Sequence, residues 1–116
     1  MQHSEKFLGI VSDAKTRIKE IDLAEFKQIV NEKLPFNWID VRDSAEGKKG
    51  AIPNAIHLSK GVLEMNIAKA VPDSDAMIIV YCGGGFRSAL AADNLQKMGY
   101  TNVVSLAGGY HGWANS

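Results

Sequence analysis

The chain has 116 residues, 46% of them hydrophobic, with thirteen Lys and Arg balancing thirteen Asp and Glu. A chain of this length makes one compact domain that buries roughly two-thirds of its unfolded surface. Its balanced charge gives no electrostatic reason to expect a nucleic acid or an anionic membrane as partner. The single cysteine rules out an intrachain disulfide. A lone thiol, no secretory h-region and no apolar run long enough to span a bilayer together predict a cytoplasmic protein.

In chain order, Phe7, Leu8, Ile10, Val11 and Ala14 recur at helical spacing after Ser4, a good N-cap, and predict an amphipathic helix over Ser4 to Ala14. This helix is expected to pack on its own domain, so residues 1–16 read as an extension and 17–116 as the domain proper. Arg17 to Ile21 reads as a strand. Asp22 is placed to cap a helix through Lys33, with Leu23, Phe26, Ile29 and Val30 facing inward. Asn37 to Asp40 is the next strand, and Arg42 to Gly50 is a polar connection. Ala55 to Leu58 predicts a further strand, and Lys60 to Ala70 a helix that Pro72 ends. Met77 to Tyr81 and Asn102 to Leu106 complete five strands. Strands alternating with helices predict an α/β fold with a largely parallel sheet covered on both faces, its ligands beyond the strands' carboxyl ends.

The only cysteine, Cys82, follows such a strand end. After it come Gly83, Gly84, Gly85, Phe86, Arg87 and Ser88, where an Ala/Leu-rich helix opens. Consecutive glycines let a loop turn its backbone N–H groups inward, and the helix N-terminus and Arg87 add positive charge. A free thiol with pKa near ~8.5 is mostly protonated at neutral pH, so donors gathered around sulfur are what favour the nucleophilic thiolate. On this reading Cys82 is the nucleophile, Gly83, Gly84 and Gly85 supply amide donors, and Arg87 holds an anionic substrate. Phe86 is either an apolar wall or a core residue. Ser88 is a helix cap in preference to a donor toward Cys82. Asp40 and Arg42 end a strand near the site and are expected to form an ion pair that ties loops together. His3, His57 and His111 show no ligand spacing, so no metal and no cofactor are expected. Trp38 and Trp113 read as core or edge packing.

The pattern Cys-x-x-Gly-x-Arg-Ser, carried by Cys82, Gly85, Arg87 and Ser88, resembles the active-site loop of rhodanese-family sulfurtransferases. Three other segments agree. Ile39-Asp40-Val41-Arg42 resembles the family's Asp-Val-Arg strand end, and Gly50-Ala51-Ile52-Pro53-Asn54-Ala55 its Gly-His-Ile-Pro-Gly-Ala turn. Leu106-Ala107-Gly108-Gly109-Tyr110-His111-Gly112-Trp113 is similar to its Gly-Gly turn and short Trp-bearing helix. The resemblance runs from about Ile21 to Trp113. The chain departs from the pattern at Ala51, which stands for a frequent His, and at Glu46-Gly47, which stands for an acidic-aromatic pair. Its active loop carries Arg87 as the only basic side chain.

The resemblance implies a rhodanese-like fold and a double displacement. Cys82 takes a sulfane sulfur from thiosulfate or a persulfide donor and passes it to cyanide, a small thiol or a thioredoxin-like acceptor. A phosphatase or arsenate-reductase-like enzyme on the same fold is a second expectation, ranked lower because only four residues separate Cys82 from Arg87. A non-catalytic interaction module is the third.

Overall fold

The computed structural model describes residues 3–116; residues 1 and 2 of the expected N-terminal extension lie outside them. Eleven elements follow in order: α1 (Glu5–Lys15), β1 (Lys19–Ile21), α2 (Leu23–Asn31), β2 (Asn37–Asp40), α3 (Ser44–Lys48), β3 (Ile56–His57), α4 (Lys60–Ala70), β4 (Ile78–Tyr81), α5 (Phe86–Lys97), β5 (Val103–Leu106) and α6 (Gly109–Ala114). The five strands form one sheet in the order β1-β5-β4-β2-β3, and every pairing is parallel.

The period-two alternation of β4 sorts the core into two layers. Ile78 and Val80 point with Cys82 to one face, where Leu63 and Ile67 of α4 and Ala91, Ala92 and Leu95 of α5 cover them. Ile79 and Tyr81 point to the other, against Phe26 of α2, Trp38 and the partly buried Tyr110 and Trp113 of α6. Both faces of β4 are therefore dry, which is why its sequence is continuously apolar rather than alternating. Parallel register aligns the strands' carboxyl ends, setting Asp40 beside Tyr81 and Val80 beside Ser105.

Several expectations shift. The first strand begins at Lys19, and Arg17 instead sends its guanidinium to Asp93 of α5 at 2.8 and 2.9 Å. That contact helps fix α1 against α5. On α1 itself Val11 and Ala14 are buried, whereas Leu8 and Ile10 are exposed. The helix after Asp22 ends at Asn31, and Val30 is 47% exposed rather than inward. The polar connection after Arg42 contains α3, which a capping box of Asp43 and Glu46 starts. Most consequential, α5 opens at Phe86 with Gly85 as its N-cap at φ 103°, not at Ser88.

Candidate active site

Gly85 caps α5 in a left-handed conformation that side-chain-bearing residues adopt at a cost. This places Ser88 in the helix's first turn, so its free amide aims out of the N-terminus instead of its side chain capping it. The target is the sulfur of Cys82. Gly85 N donates to Sγ at 3.1 Å and Ser88 N at 3.3 Å. The Ser88 hydroxyl lies 3.5 Å from the same sulfur and shares a 2.7 Å hydrogen bond with Ser105 Oγ from β5. Cys82 is buried, but its sulfur receives the N–H groups of Gly85 and Ser88 at a helix N-terminus and donates to the Ser88 hydroxyl.

The rest of the loop is held from behind by α6. Tyr110 N donates to the Cys82 carbonyl at 2.7 Å and His111 N to the Gly83 carbonyl at 3.0 Å. A trans peptide points its N–H opposite its C=O, so the amides of Gly83 and Gly84 face away from α6. Gly109 makes this approach feasible: a Cβ there would overlap the carbonyl of Cys82 and the backbone of Gly83. The Gly108-Gly109 turn thus orients the loop's peptide planes, a role beyond the simple turn its sequence suggests.

Arg87 does not project free into the site. Glu46 of α3 receives its guanidinium in two bonds, 2.6 and 2.9 Å long. Those bonds hold the Glu46 carboxyl down at about 2 and raise the basicity of Arg87 further. The acidic partner that a cation at a helix N-terminus calls for is therefore Glu46. Both side chains remain about one-third exposed.

Asp40 and Arg42 form the second arginine-carboxylate pair, at 2% and 3% exposure. The Arg42 guanidinium meets Asp40 at 2.9 and 3.1 Å, donates to the Gly50 carbonyl at 2.7 Å and stacks 4.2 Å from the Tyr110 ring centroid. The Tyr81 hydroxyl donates to Asp40 at 3.0 Å and accepts from Ile52 N at 3.2 Å. Burial pushes the Asp40 carboxyl up, but hydrogen bonds from Arg42 and Tyr81 outweigh it and leave it below its ordinary value. Burial pushes the Tyr81 phenol up to about 12. His57 is tied in as well, its Nε2 lying 2.7 Å from the Arg42 carbonyl oxygen. The network joins β2, β4, the Gly50 turn and α6.

A cleft of about 690 Å³ opens over the loop, lined among others by Cys82, Arg87, Glu46, His111, His3 and Phe7. Phe86 forms part of its wall and is only half-buried. Sequence reasoning missed several contributors, His3 and Asp43 among them. Ser105 was signalled by a lone hydroxyl inside the apolar run Val103 to Leu106, and Glu46 by the need of Arg87 for a partner. His111 and Phe7 reach the cleft only through tertiary packing.

The comparisons with known proteins agree with this geometry. A family model described as the Rhodanese-like domain matches residues 22–116. The chain belongs to this family. Among relatives, a sulfurtransferase of Allochromatium vinosum is 31% identical over 97 residues, which are 84% of this chain and 89% of that protein. YrkF of Bacillus subtilis, named as a candidate sulfur carrier, is 33% identical over 102 residues, 88% of this chain. The rhodanese-like chain spans only about half of that relative, 54% of its length. Among solved structures, RPA3614 of Rhodopseudomonas palustris, described as a candidate tyrosine phosphatase, superposes with a TM-score of 0.88 at 26% identity. That match covers 99% of this chain and 93% of the other. Among the described residues no helix is long and apolar enough to cross a membrane.

Proposed function

We propose that this rhodanese-like domain is a sulfurtransferase in which Cys82 carries the moving sulfur as a persulfide. The supporting observation is the pair of amide bonds from Gly85 and Ser88 to Sγ, which fix the sulfur at the N-terminus of α5 on the lining of the cleft. In the first half-reaction the Cys82 thiolate attacks the sulfane sulfur of thiosulfate or a persulfide, and sulfite or a thiolate departs. In the second, cyanide, a small thiol or a thioredoxin-like thiol attacks the outer sulfur and returns Cys82 to its starting form. The Ser88 hydroxyl, fixed by its bond with Ser105, accepts from the Cys82 thiol, while the Gly83 and Gly84 amides belong to the cradle of the outer sulfur. Arg87 serves an anionic donor by exchanging one of its Glu46 bonds for the incoming group. Asp40 and Arg42 act as scaffold.

Phosphoryl transfer is the competing reading, and the similarity to RPA3614 over 99% of the chain favours it. Against it stand the four-residue spacing from Cys82 to Arg87 and the engagement of that arginine by Glu46. Intact-mass measurement after incubation of reduced protein with thiosulfate or glutathione persulfide separates the two. The parent gains one sulfur that a reductant removes, and Cys82→Ala gains none. Turnover of p-nitrophenyl phosphate without sulfur uptake would establish the phosphatase instead.

A further inference from the structure

Helix α1 lies outside the residues that the family model matches, yet it builds one wall of the cleft. Its Phe7 ring meets Phe86 edge-on with centroids 6.4 Å apart. His3 stands 4.9 Å from Phe86, also edge-on, and 5.0 Å from Phe7. Phe86 begins α5 four residues after Cys82, so this aromatic face and the sulfur border the same 690 Å³ space. The face is secured from the far end of α1, where Arg17 pairs with Asp13 and with the buried Asp93.

Two features of the cleft point to one class of occupant. Its volume falls in the range of about 300–1,000 Å³ that encloses organic molecules of drug size, with apolar walls and a few polar anchors. A small dianion has to compete with Glu46 for Arg87 and meets Asp43 as a further carboxylate in the lining, a competition that an uncharged organic donor does not face. We propose that Phe7, Phe86 and His3 form a subsite for the carbon skeleton of an organic hydropersulfide, R–S–SH, whose R group is apolar or aromatic. This proposal rests on the sulfurtransferase reading and names its preferred donor.

The step balances without an added oxidant or reductant. The Cys82 thiolate attacks the terminal sulfur of R–S–SH, forming the Sγ–S bond. The bond between the donor's two sulfurs breaks, and its electron pair leaves on RS⁻, which takes a proton from water. The proton of the transferred sulfur stays with it as Cys82–S–SH. Stacking of R on the aromatic face holds the donor while its terminal sulfur lies over the loop.

The test is single-turnover loading of Cys82, followed by rapid quench and intact mass, with benzyl and methyl hydropersulfides as probes. The ratio of the two rates cancels general damage to the nucleophile. In the parent, benzyl hydropersulfide loads about 10-fold faster than methyl, as expected when one aromatic group moves from water to an apolar wall. Phe7→Ala brings that ratio close to one. Phe7→Leu, which keeps an apolar side chain in the half-buried position, lowers it part of the way and serves if the alanine variant does not fold. Ile10→Ala, at an exposed position of the same helix, keeps the parent ratio. A parent ratio near one, or a ratio that both Phe7 variants leave unchanged, overturns the subsite while leaving sulfur transfer intact. Failure of every donor to load Cys82 overturns the sulfurtransferase reading and the subsite with it.

Discussion

Two arginine-carboxylate pairs stand at the carboxyl ends of the same sheet, and they differ chiefly in what surrounds them. Arg42 and Asp40 are sealed among Tyr81, Tyr110 and the Gly50 turn. Arg87 and Glu46 are equally well aligned but about one-third exposed on the wall of the cleft. A buried pair that loses one partner strands a charge in a medium that solvates it poorly, whereas an exposed pair exchanges its partner for water or an incoming anion at little cost. Geometry alone makes the two pairs look alike. Burial makes one a fastener and the other an exchangeable contact.

The largest expected effect breaks the sealed pair. Arg42→Met leaves Asp40 ionised and unpaired and costs about 3–5 kcal/mol of stability, measured by urea unfolding. The double variant Asp40→Asn/Arg42→Met recovers part of that loss, because the stranded charge is gone; equal instability of single and double variants would contradict the account. Next, Tyr81→Phe removes a donor to Asp40 and leaves the Ile52 N–H without its acceptor. The expected loss is about 1–3 kcal/mol, and faster hydrogen exchange at the Ile52 amide identifies its source.

Glu46→Gln sharpens the contrast from the other side. Stability falls by less than about 1 kcal/mol, while loading from thiosulfate rises several-fold because Arg87 is released to an anion. A loss of stability as large as that of Arg42→Met, or slower thiosulfate loading, would erase the distinction between the pairs. The smallest effect is in acid. The folded-state carboxyl of Glu46 lies at about 2, below its ordinary value of 4.5. Its contribution is therefore complete above pH 4.5 and is lost as pH falls toward 2. Glu46→Gln flattens the stability profile across that window and leaves it unchanged at neutral pH apart from a constant offset.

The sequence discloses elements whose signal is local. Helix α4 occupies Lys60–Ala70 as expected, because Pro72 stops it just beyond. The continuous apolar run of β4 announces burial on both faces, and the glycines after Cys82 announce the loop. Short or composite features are less legible. Helix α3 has five residues and no buried side chain, so its periodicity carries nothing to detect. Ser88 looks like a cap because it precedes an Ala/Leu run, but Gly85 at positive φ starts the helix one turn earlier. Glu46 and Arg87 meet across 41 positions of chain, and Phe7 reaches Phe86 across the α1 and α5 packing. Such pairings follow from crossover geometry, which no local pattern encodes.

The route of the chain through the sheet has a consequence during synthesis. Lys19 pairs with Val104, Ser105 supplies the hydroxyl beside Ser88, and the amides of Tyr110 and His111 restrain the carbonyls of Cys82 and Gly83. A nascent polypeptide that has left the ribosome as far as Tyr100 therefore has the Gly85 and Ser88 amides near its thiol but not the Ser105 hydroxyl or the α6 amides that fix the loop around it. The cradle comes together only when one of the first strands made can meet the last.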